Sequence, residues 1–257
     1  IASEHIGLSE ALGRVLAEDV AARLTQPPMA VSSMDGYAVR AADVQTVPTM
    51  LTQIGESQAG GRFEGTVGVG ECARIFTGAP LPDGADAVVI QEETDVDGMQ
   101  ISINESVSTG ADIRPAGLDF RTGDVLLRAG KVLSPRDIGL VASMNVPWLC
   151  VRRRPRVAFI ATGDEIVMPG DPIGADQIIS SNSLALGAFV RVLGGTPVNL
   201  GIARDTKASL RKTVAGAKGA DVLVTIGGAS VGDYDLVRSV LGTEGLDLSF
   251  YKVAMRP

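Results

Sequence analysis

Residues 6–20 carry Leu8, Leu12, Val15 and Leu16 at three- and four-residue spacing, a repeat that predicts an amphipathic helix. A second helix is predicted from Ser134-Pro135, an N-cap followed by proline at the first helical position, with Ile138, Val141, Ala142 and Met144 as its apolar stripe. Between the two the grammar changes. Residues 73–76, 87–90, 99–103 and 125–127 are short apolar or alternating runs, separated by turn sequences such as Pro80-Leu81-Pro82-Asp83-Gly84 and Asp97-Gly98. This reads as a β-domain (27–128) inserted into a small helical domain (1–26 with 129–153).

From Arg156 onward strands and helices alternate. Strands are predicted at 156–162, 198–203, 222–226 and 248–253. A helix at 183–193 would bury Leu186, Phe189, Val190 and Leu193. The next, capped by Asp205, would bury Leu210, Val214 and Ala217, and a third Leu236, Val237, Val240 and Leu241. Such alternation predicts a doubly wound α/β domain over 154–257 with a mostly parallel sheet. The fold class expected is therefore α/β plus β.

Composition narrows the chemistry. A net charge of −7 speaks against a nucleic-acid or anionic-membrane partner. No apolar run approaches the roughly 18–20 residues of a membrane-crossing helix, and no basic segment leads into an apolar one as in a secretory signal. Cys72 and Cys150 lie far apart without a C-x-x-C partner, which suits a cytoplasmic protein with reduced thiols. His5 is the only histidine, so a Ser-His-Asp triad is excluded and any catalysis rests on carboxylates, hydroxyls, amides and basic side chains. The chain opens on Ile1 and stops just past a strand-like segment, so a fragment of a longer protein is expected.

In open α/β sheets ligands bind beyond the carboxyl ends of the strands. Those ends read Thr162-Gly163-Asp164-Glu165, Ala203-Arg204-Asp205-Thr206, and Gly227-Gly228-Ala229-Ser230-Val231-Gly232-Asp233-Tyr234-Asp235. Each carries carboxylates, although an aspartate after a strand also serves as a helix cap. The third loop can bring amides and a hydroxyl to a phosphate, but it has neither the Walker A lysine nor Rossmann spacing. Phosphate beside so many acids calls for a bridging cation, and Mg²⁺ favours one or two carboxylates plus substrate phosphates. The run Arg152-Arg153-Arg154 reads as a solvated linker rather than a phosphate site. Thr77 and Asp119 are a turn hydroxyl and a loop acid by local reading, and Asp35-Gly36 is a turn signal.

The heptapeptide Ser33-Met34-Asp35-Gly36-Tyr37-Ala38-Val39, together with Thr77-Gly78-Ala79-Pro80, Arg114-Pro115-x-Gly117-x-Asp119 and Thr162-Gly163-Asp164-Glu165, resembles the signature of the molybdopterin molybdenumtransferase family, which includes the E domain of gephyrin. The resemblance runs from residue 6 to 257. It implies insertion of molybdate into adenylylated molybdopterin with release of AMP. It implies catalytic roles for Asp35, Thr77, Asp119, Glu165, Asp205 and Asp235, with Asp233 the rival of Asp235. Thr162, Gly163, Asp164, Gly227, Gly228, Ser230 and Gly232 would hold the substrate, and Glu165, Asp205 and Asp235 would hold Mg²⁺. It further implies a two-fold homodimer, with other molybdenum-cofactor biosynthesis proteins as further candidate partners. Family members continue past this chain's Arg256-Pro257 into a Gly-Lys-Pro segment, a Gly-Leu-Pro-Gly-Asn-Pro loop and a C-terminal β-domain. Neither cysteine sits in a motif that would ligate molybdenum. The competing readings are a non-catalytic scaffold and another pterin- or nucleotide-binding enzyme sharing only the α/β domain.

Overall fold

The computed structural model of the chain describes residues 1–227 and Val240, and it groups the chain into two units. One comprises Gly7–Glu10 and Glu18–Leu149; the other comprises Ile1–Ile6, Ala11–Ala17 and Cys150–Pro257.

In the first unit, β1 (Gly36–Val39), β2 (Thr49–Ser57), β3 (Glu71–Ile75), β4 (Ala87–Ile90), β5 (Thr94–Asp97) and β6 (Gln100–Ile103) form a sheet in the order β4-β1-β3-β2-β6-β5. Neighbours run antiparallel except β2 and β3, which are parallel. Strand alternation sorts the side chains of β1 onto two covered faces. Tyr37 and Val39 pack with Leu51, Val89, Ile101 and Ile103, while Ala38 packs with Ile75, Ala79 and Val88. Gly36 is needed for close approach rather than for turn conformation: a Cβ there would lie 2.0 Å from the Val89 carbonyl oxygen.

Helix α1 (Pro135–Ser143) forms where the sequence places it. The Ser134 hydroxyl accepts from the Asp137 amide, and the Asp137 carboxylate accepts from the Ser134 amide, completing a capping box. Val141 and Met144 are buried, Ile138 is half-buried and Ala142 is exposed, so its stripe is narrower than expected.

Residues 6–20 are not helical. Ser3–Gly7 and Val20–Ala21 are strands, and Leu8–Glu10 is a short 3-10 turn. The Ala17 amide donates to the Cys150 carbonyl at 2.9 Å and the Arg152 amide to the Val15 carbonyl at 2.7 Å. Leu16 is buried at 1% exposure whereas Leu12, expected on the same face, is 58% exposed. Pairing with a distant strand satisfies this backbone, while Gly7 and Gly13 weaken the helical alternative. The expected helical domain therefore lacks its first helix.

In the second unit, β7 (Arg156–Thr162), α2 (Asn182–Val192), β8 (Thr196–Ala203), α3 (Lys207–Val214) and β9 (Val222–Ile226) follow in turn. The sheet order is β8-β7-β9, all parallel. The chain moves from β7 to one side, then crosses back to the other. With right-handed crossovers, that reversal puts the two connecting helices on opposite faces. Adjacent residues of β7 record it: the Phe159 ring lies 3.7 Å from the position of a Cβ on Gly187 of α2, while Ile160 clusters with Leu210 of α3, Ala203 and Val240.

Three expectations here need correction. Helix α2 turns Ser183 and Gly187 inward and leaves Phe189 59% and Leu193 69% exposed, because Gly187 lets the helix sit close on Phe159. Helix α3 is capped by Thr206, whose hydroxyl accepts from the Ser209 amide, and not by Asp205. The arginine run is not a solvated linker either. Arg152 ends the strand Trp148–Arg152, and Arg153 donates to both carboxylate oxygens of Asp221, at 2.7 and 2.9 Å. Arg153, with the Arg156 amide at 2.7 Å, lowers the Asp221 pKa to about 2 and ties the start of β7 to the start of β9. No described helix is long and apolar enough to cross a membrane. Residues 228–239 and 241–257, including the predicted strand at 248–253 and all of the third helix's apolar positions but Val240, lie outside the described residues.

Candidate functional site

Asp35 immediately precedes β1 and Thr77 lies two residues past the end of β3. Antiparallel register sets Gly36 opposite Ile75 and Tyr37 opposite Arg74, so the residues flanking that end of the ladder face each other. Ser32 tightens the junction. Its amide donates to the Ala79 carbonyl, its carbonyl accepts from Gly78, and its hydroxyl donates to the Met34 carbonyl at 2.6 Å.

Thr77 consequently donates twice to Asp35 Oδ1, from its amide and from its hydroxyl, each at 2.8 Å. These two bonds, the amide first, with the charge of Arg74 adding to them, hold the Asp35 carboxyl below its usual range. It is ionised at neutral pH and acts as an acceptor. Asp119 lies in the loop between the strands Ile113–Arg114 and Val125–Leu127 and pairs with Arg114 of its own motif, whose Nη2 is 3.3 Å from Oδ1 and 3.4 Å from Oδ2. Both partners are nearly half exposed.

Sequence reasoning missed Arg74. Its guanidinium lies 5.1 Å from the Tyr37 ring centroid and 4.9 Å from that of Phe76, and donates to the Gly36 carbonyl and to Gln91 Oε1. The available signal was the alternation Arg74-Ile75-Phe76, which puts Arg74 and Phe76 on one face beside Thr77.

The second cluster lies at the carboxyl end of the parallel sheet. Thr162 closes the central strand opposite Ala203, and Ile226 pairs with Ala161. Thr162 is 6% exposed, and its Oγ1 is buried without a hydrogen-bond partner among the described residues. Gly227, at φ +88°, approaches so closely that a Cβ would sit 2.7 Å from the Thr162 carbonyl oxygen and 3.2 Å from Oγ1. Gly163 donates its amide to the Ala203 carbonyl.

Asp164, Glu165 and Asp205 are exposed around this cradle. With Thr206 capping α3, Asp205 has no capping duty. Among the described residues these acids do not gather three ligand atoms within 4.8 Å of one another. A buried orphan hydroxyl beside exposed carboxylates nevertheless suits a hard cation that keeps waters and phosphate oxygens as its other ligands. Gly228, Ser230, Gly232, Asp233 and Asp235 lie outside the described residues. The structure thus joins Asp35 with Thr77 in one unit, and Thr162, Gly163 and Gly227 in the other.

Residues 1–145 match the family profile described as MoeA N-terminal region (domain I and II), and residues 158–257 match that described as probable molybdopterin binding domain. The molybdopterin molybdenumtransferase of a Nostoc species is 38% identical over 99% of this chain, which spans 60% of that protein. The Haemophilus influenzae protein of the same name is 35% identical, with 99% of this chain and 63% of that one covered. A crystal structure of a molybdopterin biosynthesis MoeA protein from Pyrococcus horikoshii superposes with a TM-score of 0.84 at 35% identity, covering 94% of this chain and 62% of that one. The chain therefore spans about 60% of the length of the curated relatives it matches.

Proposed function

The chain belongs to the MoeA family of molybdopterin molybdenumtransferases, and from that premise we propose that the protein of which it forms part inserts molybdate into adenylylated molybdopterin and releases AMP. The observation that carries this reading is the cradle at the end of β7, where an unpartnered buried hydroxyl of Thr162 meets the close-approaching backbone of Gly227. Such a cradle accepts a phosphate at close range, because Gly163 and Gly227 bring no side chain of their own to the strand end. In this reading Thr162, Gly163, Asp164, Gly227, Gly228, Ser230 and Gly232 hold the phosphorylated pterin.

Glu165, Asp205 and Asp235 would hold Mg²⁺. When bound it would screen the pyrophosphate from these acids and polarise the bond that breaks. The chain's own residues supply the rest. Asp35 is a fixed anionic acceptor, set by Thr77, for a donor on the substrate. Asp119 is the second acid on that unit. The protein would work in the cytoplasm as a two-fold dimer, each site combining Asp35 of one subunit with Glu165 of the other. The finer division into 1–26 with 129–153, 27–128 and 154–257 belongs to this proposal.

Calorimetry tests it. The chain extended to the length of its relatives should bind adenylylated molybdopterin with Mg²⁺, lose affinity on chelation, and release AMP only when molybdate is added. Unchanged affinity after chelation would count against the cation's bridging role, and AMP release independent of molybdate would defeat the assigned reaction. The scaffold reading predicts binding with no AMP release.

A further inference from the structure

Arg74 is the one cation whose guanidinium stacks on two aromatic rings among the described residues, and it stands beside the acid of the proposed reaction. Its Nη1 donates to the Gly36 carbonyl at 3.0 Å and its Nη2 to Gln91 Oε1 at 2.6 Å. The Gln91 amide in turn donates to the Asp35 carbonyl at 3.0 Å. The main chain at Asp35-Gly36 is therefore gripped on two successive carbonyls, one by Arg74 and one by the residue Arg74 holds.

Little of this serves the core. Arg74 is half-buried and Gln91 exposed, and neither enters the apolar clusters that Tyr37 and Ala38 join. What the grip fixes is the direction in which Asp35 leaves the chain, just where Thr77 meets it from the end of Arg74's own strand. Tyr37 and Phe76 keep the guanidinium flat, so its fork reaches both acceptors at once. A lysine ammonium keeps the charge but has neither the plane nor the reach to hold both.

We infer that Arg74 is a positioning residue that, together with Gln91, aims the Asp35 carboxylate by clamping the Asp35-Gly36 turn to the strand leading to Thr77. The inference rests on the transferase reading for its consequence in catalysis and on the geometry alone for its consequence in structure.

Two measurements separate these. In the 257-residue chain, hydrogen exchange of the Thr77 amide, whose acceptor is Asp35 Oδ1, should accelerate roughly tenfold in Arg74→Lys. The amides of Leu51 and Ile101, in the core of the sheet, should hold their rates. In the chain extended to the length of its relatives, Arg74→Lys should lower kcat for AMP release about tenfold with KM within about twofold. Added to Asp35→Asn it should cost nothing further, since a residue acting through a carboxylate has no effect once the carboxylate is gone. An unchanged Thr77 exchange rate, or a loss that adds in full to that of Asp35→Asn, overturns the inference. Should Arg74→Lys fail to fold, Gln91→Ala, which keeps the backbone bond to Asp35 but frees Arg74 Nη2, takes its place in both measurements with changes in the same direction but smaller. If the unsubstituted protein releases no AMP, the transferase reading is what fails, and exchange at Thr77 still decides the role of Arg74.

Discussion

Asp35 and Thr162 are both placed at the ends of buried strands, yet their polar atoms are treated in opposite ways. Around Asp35 the chain satisfies itself: Thr77 fills one carboxylate oxygen and Arg74 and Gln91 hold the backbone. Around Thr162 the hydroxyl is buried without a partner among the described residues, and the carboxylates of Asp164, Glu165 and Asp205 make no hydrogen bond or ion pair there. A group whose geometry matters is fixed in advance. A group that meets a ligand, as Thr162 does in the proposed function, keeps its bonds for it at the cost of a buried polar atom.

That contrast can be broken in several places. The largest effect is expected from Glu165→Gln, which keeps size but removes charge. AMP release should fall on the order of a hundredfold or more, with binding of the adenylylated pterin weakened far less. Equal losses in calorimetry and turnover would make Glu165 a holding residue instead.

On the preorganised side, Thr77→Val keeps the amide bond to Asp35 and removes the hydroxyl. Turnover should drop roughly tenfold, while Thr77→Ser, which keeps the donor, should stay near the parent rate. Matching losses in the two variants would mean that the hydroxyl does not set Asp35.

Whether the two clusters serve one reaction is tested by mixing inactive Asp35→Ala and Glu165→Ala full-length proteins under subunit exchange. Random pairing makes about half the dimers mixed, each with one intact composite site, so about a quarter of the parent activity should return. No recovery after verified exchange would place both acids in one chain's site.

Gly227→Ala probes the cradle itself. A Cβ 2.7 Å from the Thr162 carbonyl at φ +88° should destabilise the α/β unit by about 1–3 kcal/mol, read by denaturant titration. A parent-like midpoint would show that the loop moves freely and the cradle is not rigid.

The smallest effect concerns acid. Asp221 has its folded pKa depressed to about 2, below the roughly 3.9 of an unfolded aspartate. Its contribution is therefore complete above the unfolded value and is lost as pH falls toward the folded one. Thermal melts should show Asp221→Asn a few degrees less stable at neutral pH, with the gap closing as pH drops through about 4 to 2. A gap independent of pH would assign the loss to packing.

Much of this was legible beforehand where a local rule and burial agree. The Ser134-Pro135 start of α1 follows from capping chemistry within four residues. The strand at Val222–Ile226 and the parallel α/β alternation follow from apolar runs bounded by turns. Residues 6–20 depart from the helix their periodicity predicts because apolar spacing alone does not say whether a distant strand will claim the backbone, as 148–152 does. Thr206 rather than Asp205 caps α3, since two adjacent residues offer the same chemistry and the backbone conformation decides between them.

By itself the sequence determined which residue types stand at the strand ends, the family to which their order belongs, and the division of labour between a β-rich and an α/β region. Tertiary structure decided three things. It set Thr77 on Asp35 across the β1–β3 ladder, and it brought Gly227 over an unpartnered Thr162. It also stacked Arg74 between two rings beside the acid. Each depends on register between strands far apart in the chain, and one residue of slip would turn every one of those side chains to the other face.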